Sequence, residues 1–394
     1  MSPRLSGDVT AGLRPFLTER AEANERFFGA ESERLARLCH RMAERFARGG
    51  RLIAFGRSPA ARSDARHIAV EFVHPVIVGK RALPALACAG EGGDLRAQAA
   101  LLTRGDDIAV AFGDHPEIGD AIEVARARGA LTVAFASAGA EWEFTPPTDS
   151  LEIAQELVET LYHVLWELVH VFFEHRGLLG GRTDRPRHDA GASSFLYPFL
   201  AEREDNLTQV LADVARSVLM KAQEIGALRE QTLTDNELTL AGAADALRSA
   251  FEQSGAALVL GNGGSATDAM DLTADLRAAG RPAIDLTEDP AILTAIANDI
   301  GVEAIFARQV IAYGGPGDAL IALSTSGNSG NVIAALAEAR RRGLLTVALV
   351  GYDGGRIAAD ALADHVVVTR SEHIPRIQEA QATAYHVLAD LAGR

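Results

Sequence analysis

The stretch Ala256-Ala257-Leu258-Val259-Leu260-Gly261-Asn262-Gly263-Gly264-Ser265 decides the reading of this chain. It is echoed by Ala319-Leu320-Ile321-Ala322-Leu323-Ser324-Thr325-Ser326-Gly327-Asn328-Ser329. Each is a short apolar run that empties into a loop of glycines and hydroxyls ahead of a helical pattern. Such a loop turns backbone N–H groups and short O–H donors toward one anion, and the positive end of the following helix adds to the field. One such loop is a common way to close a tight connection; two on neighbouring strands make a phosphate cradle. The candidate phosphate ligands are Asn262, Gly263, Gly264 and Ser265 in the first loop and Ser324, Thr325, Ser326 and Ser329 in the second.

With 394 residues and ordinary apolar content, the chain has material for two cores of about 150 to 200 residues each. A formal charge of −15 opposes general binding to nucleic acid or anionic membranes, because the field repels polyanions. The only cysteines, Cys39 and Cys88, cannot form a disulfide framework and show no CxxC spacing. The first 30 residues mix acidic and basic side chains, with no apolar leader segment. Even the run from Val164 to Phe173 is interrupted by Glu167 and His170. The expectation is a cytoplasmic protein with no membrane span.

The chain also repeats itself. From Asn24 a long amphipathic pattern ends near Gly49-Gly50, followed by a strand from Arg51 to Phe55, a loop at Gly56 and a helix with Asp64, His67 and Glu71. From Asn236 the same order recurs: a helix to Gly255, a strand from Ala256, a loop at Gly261 and a helix with Asp268, Asp271 and Asp275, each 204 positions after its counterpart. Later, Arg126-Ala127-Arg128-Gly129 parallels Arg340-Arg341-Arg342-Gly343, and Gln155 with His163 parallels Gln378 with His386. The reading is a tandem duplication, broken in the polar, Pro- and Gly-bearing stretch 177–194, giving domains at 1–190 and 196–394. Each half alternates apolar strands with helices, which predicts an α/β fold with a parallel sheet covered by helices on both faces. Ligands in such sheets sit at the carboxyl ends of the strands, where the hydroxyl-rich loops fall. Residues 207–228 carry helical spacing, either as a linker or as a packing element.

These residues carry a resemblance. GNGGSATDAMDLTADL, Ala297-Asn298-Asp299, STSGNSGNVIAAL, the Gly351-Tyr352-Asp353-Gly354-Gly355 turn and RIQEAQATAYHVL make the second half similar to the phosphoheptose isomerase branch of the sugar isomerase (SIS) superfamily. The first half resembles a diverged copy, so the resemblance implies two tandem SIS domains, each a three-layer αβα sandwich. It implies conversion of sedoheptulose 7-phosphate to D-glycero-D-manno-heptose 7-phosphate or a related heptose 7-phosphate, an aldose–ketose exchange through an enediol or enediolate. Such chemistry needs a base at the carbon beside the carbonyl and an acid between the two oxygens.

By the resemblance, the helix after the first loop carries a His and, four residues on, a Glu that serves as base, with a Gln and an acid His near the C-terminus. The first half keeps His67, Glu71, Gln155 and His163. The second half has Asp271 and Asp275 with Gln378 and His386. The candidate catalytic residues are His386, Gln378, Asp275 and Glu71, with Asn298 and Asp299 as further substrate contacts. Some family members hold zinc with this set, so zinc is the candidate ion, with His67, Glu71, Gln155, His163, Gln378 and His386 as ligands. In the first half Pro59 and Pro116 each remove an N–H, and Asp114 with Glu117 repels phosphate, so the cradle there reads as lost. One half keeps the cradle and the other the full quartet, which suggests a site built from both copies and a homodimer mimicking a tetramer of SIS domains. The second reading is a non-catalytic SIS protein that senses a sugar phosphate or assembles with a partner.

Overall fold

In a computed structural model of this chain, the described residues are 13–76, 80–174, 179 and 206–394. They divide into two compact units, Ala23–Glu224 and Met1–Glu22 with Ile225–Arg394. The break expected near residue 190 lies outside the described residues. Of the described residues, the contact division gives 206–224 to the first unit and 13–22 to the second.

The first unit holds a five-stranded sheet in the order β2-β1-β3-β4-β5, with β1 at Leu52–Gly56, β2 at Ala85–Cys88, β3 at Ile108–Phe112, β4 at Leu131–Ala134 and β5 at Trp142–Glu143. The second repeats it as β10-β9-β8-β6-β7, with β6 at Ala257–Leu260, β7 at Ala283–Asp285, β8 at Ala319–Ser324, β9 at Leu345–Gly351 and β10 at His365–Thr369. Every pairing is parallel. The expected strands are present, shifted by a residue at their ends.

Alternation within each strand explains the layers. Ala257, Val259, Ala319, Ile321, Val347 and Leu349 enter one core with Leu247, Phe251, Leu272 and Leu388 from the helices Glu237–Glu252, Gly264–Ala278 and Ile374–Gly393. Their neighbours Leu258, Leu260, Leu320, Ala322, Ala348 and Val350 enter the opposite core with Phe306, Val310, Val332 and Leu336 from Ile305–Tyr313 and Gly330–Arg341. The first unit divides the same way, Leu52, Ala54 and Val110 on one face and Ile53, Phe55 and Ala109 on the other. Period-two side chains that are apolar on both faces force burial of both faces, as parallel sheets require. Two αβα sandwiches in tandem result.

The repeat extends to close backbone packing. A Cβ on Gly50 would meet the Asp106 carbonyl oxygen at 2.0 Å, and one on Gly255 would meet that of Gly317 at 2.1 Å. Beside them an aspartate clamps the strand entrance in each unit. Asp107 accepts from the Arg51 and Arg104 N–H groups at 2.9 Å each, and Asp318 from those of Ala256 at 2.8 Å and Gly315 at 2.9 Å.

The helix expected from Asn24 begins earlier, spanning Arg14–Ala47. Pro15 suits a first helical turn, which has no use for its missing N–H, and Leu13, Phe16 and Leu17 join the core of the second unit. The stretch expected to be helical at 207–228 lies within the helix Leu207–Asp235. Cys39 and Cys88 are buried thiols; burial, with Glu91 adding, pushes the Cys88 thiol up to about 11. Among the described residues no helix is long and apolar enough to cross a membrane.

Candidate active site

In the second unit the chain order reverses between β6 and β8, the point where open α/β sheets leave a crevice. The loop after β6 passes through Gly263, held at φ 59° and ψ −125°, into the helix Gly264–Ala278. The close turn requires Gly261, since a Cβ there would strike the Ser265 carbonyl oxygen at 2.1 Å. The loop after β8 enters Gly330–Arg341 at Ser329. A reciprocal amide pair joins the loop regions: Asn262 Nδ2 donates to Asn331 Oδ1 at 2.9 Å, and Asn331 Nδ2 to Asn262 Oδ1 at 3.0 Å. Gly327 N donates to Ser324 Oγ at 3.1 Å, and Arg356 N to Asn328 Oδ1 at 3.0 Å, bracing the second loop on the Gly351–Gly355 turn. Neither helix receives a side-chain cap from its N-cap residue, Gly263 or Ser329. In the second of these helices Val332 N donates to Asn331 Oδ1 at 2.9 Å.

The first unit closes the same positions. Ser58 Oγ accepts from Ala61 N at 3.4 Å, capping Pro59–Val73, and His115 Nδ1 accepts from Glu117 N at 3.3 Å, capping Pro116–Ala127. Proline occupies the first turn of both helices, and Arg57 pairs with Glu117 at 3.4 Å where the two loops meet. Proline and these two side-chain caps take four of the N–H groups at the two helix starts out of reach of an anion.

Further along the Gly264–Ala278 helix, two carboxylates converge on one imidazole. His386 Nε2 lies 3.1 Å from Asp271 Oδ2 and 3.6 Å from Asp275 Oδ2. The Tyr385 hydroxyl donates to Asp271 Oδ2 at 2.8 Å. Asp271 Oδ1 is buried with no hydrogen-bond partner among the described residues. Asp275 is the more exposed of the two carboxylates, at 28% of its side chain against 2% for Asp271, although its Oδ2 is buried. Ligand atoms of Asp271, Asp275 and His386 lie within 4.8 Å of one another, as do those of His67, Glu71 and His163 in the first unit. There Tyr162 Oη lies 2.9 Å from His67 Nδ1, and His163 Nε2 lies 3.3 Å from His67 Nε2. Burial, and after it the His163 ring, push the His67 imidazole well below the usual histidine range.

Residues 222–351 match the SIS domain family model. The chain is 44% identical over 176 residues to the phosphoheptose isomerase of Chlorobium phaeobacteroides, an alignment covering 42% of this chain and 77% of that one. The chain belongs to the phosphoheptose isomerase family. It is an isomerase of that family in a tandem form. Its whole length follows the fold of the C-terminal domain of glucosamine-fructose-6-phosphate aminotransferase from Francisella tularensis, with a TM-score of 0.62 at 10% identity over 100% of this chain and 97% of that one. The tagatose-6-phosphate ketose/aldose isomerase of Escherichia coli shares the fold with a TM-score of 0.57 at 13% identity, over 100% of this chain and 94% of that one.

Within this isomerase-family chain, the expected phosphate residues fall at the two helix starts, and Asp275 and His386 fall together. Gln378 is buried on the same helix as His386. Gln155 is half-buried and donates to Ser63 Oγ at 3.5 Å. Asn298 and Asp299 are exposed at the end of the helix Pro290–Asp299, with Asn298 Nδ2 on Asp299 Oδ1 at 2.7 Å. Sequence reasoning missed Asn331, Asp271 as a partner of His386, and Tyr385. The Tyr-His dipeptide repeated in both halves was the available signal.

Proposed function

We propose that the second unit isomerises a phosphorylated ketose of sedoheptulose 7-phosphate type to its aldose. The amide-linked loop pair, its first loop opening the helix that carries Asp275, supports this reading. From Ser265 to Asp275 is about 15 Å along a helix. A six- or seven-carbon sugar phosphorylated at its far end spans a gap of that kind between C1 and phosphorus more readily than a triose does. The phosphate sits against the N–H groups of Gly264 and Gly330 and the hydroxyls of Ser265, Ser324, Ser326 and Ser329, with Thr325 completing the loop. Asp275 takes the proton from C1 as the electrons of that C–H bond form the C1–C2 double bond, and the C2 oxygen takes a proton from His386. The O1 proton then leaves to His386 as the C1 carbonyl forms, and Asp275 returns its proton to C2. No proton is gained or lost overall.

The donor set also fits a divalent ion. Asp271, Asp275 and His386 would hold zinc, and the orphaned Asp271 Oδ1 is the kind of buried atom an ion satisfies. Zinc bound there would polarise the sugar carbonyl. A homodimer is the expected assembly.

Incubation of the purified protein with sedoheptulose 7-phosphate, followed by NMR, tests the reading. An aldoheptose 7-phosphate supports it. Binding of the sugar phosphate without turnover supports instead a regulator that uses the cradle alone.

A further inference from the structure

Glu303 stands on the 3₁₀ turn Val302–Ala304, which the chain enters through Gly301 at φ 128° and ψ 157°, a conformation that glycine alone takes readily. Its carboxylate lies against the start of the helix Gly330–Arg341. A Cβ on Gly330 would meet Glu303 Oε2 at 2.0 Å, the carboxyl carbon at 2.7 Å and Oε1 at 2.9 Å, so glycine at 330 leaves the room that the carboxylate fills. Glu303 is exposed and makes no hydrogen bond or ion pair among the described residues. The cradle offers a phosphate N–H groups and hydroxyls, but a sugar also brings hydroxyls of its own, and a hydroxyl donates best to a charged acceptor. We propose that Glu303 is a specificity-determining residue: it accepts hydrogen bonds from the sugar hydroxyls nearest the phosphate ester, and its charge disfavours anions that bring no hydroxyl.

Two effects of opposite sign meet at this carboxylate. The positive end of the helix attracts Glu303 as it attracts a phosphate, so the two anions draw on one field. Gly330 N is one bond from the Cα that the carboxylate covers. A phosphate held by that N–H therefore lies within about 10 Å of Glu303, roughly a Debye length in dilute salt. Repulsion at that range, through water, weakens binding by a few-fold. A charge-assisted hydrogen bond from a sugar hydroxyl strengthens it by about tenfold. A hydroxylated phosphate ester thus gains on balance, and one without hydroxyls loses. This role for Glu303 rests on the phosphate lying at Gly330, as the proposed function has it, and is independent of which group serves as base.

Calorimetric titration of full-length wild type, Glu303→Gln and Glu303→Ala tests this, with sedoheptulose 7-phosphate and with ethyl phosphate, a monoester of the same charge that has no hydroxyl. In Glu303→Ala the Kd for sedoheptulose 7-phosphate should rise about tenfold, while that for ethyl phosphate falls roughly two- to fivefold. Glu303→Gln loses the charge but keeps an acceptor oxygen. It should match Glu303→Ala on ethyl phosphate and fall between Glu303→Ala and wild type on the sugar phosphate. Added salt should erase the gain for ethyl phosphate and leave most of the loss for the sugar. A change in the same direction for both ligands overturns the proposal. Unchanged binding of both removes Glu303 from the site and leaves the cradle standing. A wild type that binds neither ligand overturns the cradle reading and the role of Glu303 with it. Opposite shifts in a protein that binds the sugar phosphate without turning it over support Glu303 and count against the isomerase reading alone.

Discussion

At the scale of single residues, the site is built from side chains whose partners lie far off in the sequence. Asn262 and Asn331 are 69 positions apart, and their paired amides tie the two loop regions together. Asn331→Ala leaves the Asn262 amide without that partner, at a cost of about 1 kcal/mol. The expected outcome is a KM for the sugar phosphate several-fold higher with kcat nearly unchanged, read by steady-state kinetics. Asn331 was not legible in the sequence, because nothing in a linear string says that one asparagine among several faces another loop. The loops themselves were legible, since glycine and hydroxyl residues directly after an apolar run leave few other uses. Asp271 was not among the candidates read from the sequence for a related reason: its contacts are with Tyr385 and His386, more than 100 positions away.

At the scale of elements, helix starts separate the units. Neither second-unit helix at the crevice is capped by the side chain of its N-cap residue, whereas both first-unit counterparts are so capped and begin with proline. The prolines were readable as lost N–H groups. The caps by Ser58 and His115 were not, because a serine or histidine before a helix caps only when the backbone turns it inward. Gly264→Pro copies the first unit's device into the second. Proline is compatible with a first helical turn, so the melting temperature should move by only a few degrees. The lost N–H should raise the KM for the sugar phosphate about tenfold, as expected for a charge-assisted hydrogen bond. An unchanged KM would place the anion elsewhere.

At the scale of the whole molecule, the duplication has kept the scaffold in both units and the cradle in one. The scaffold is held partly by aspartate clamps at the strand entrances, and in the first unit Arg51 Nη2 joins Asp107 Oδ2 at 2.7 Å. Burial raises the Asp107 carboxyl, but the Arg51 guanidinium and the backbone donors outweigh it and hold the group below the usual aspartate range. The folded group is thus the stronger acid, so its stabilisation is present above about pH 4 and fades as pH falls through the lowered value. Asp107→Asn should cost about 2 kcal/mol at pH 7, with thermal melts of variant and wild type converging as pH falls through the lowered value. The tandem αβα architecture was legible from the constant 204-position offset and from strands apolar on both faces. The contact division at 22–23 and 224–225 was not, since a helix that carries on through such a point leaves no break in its periodicity. The central proposal is that turnover runs through Asp275 of the second unit, against the reading of the sequence in which Glu71 of the first unit serves as base. The most direct test is isomerisation of sedoheptulose 7-phosphate in D2O by wild type, Asp275→Asn and Glu71→Gln, with deuterium at C2 of the aldose read by NMR. The account expects Asp275→Asn to lose at least about 100-fold in rate, the contribution of a positioned base, and Glu71→Gln to match the wild type; loss in Glu71→Gln with Asp275→Asn still active would contradict it.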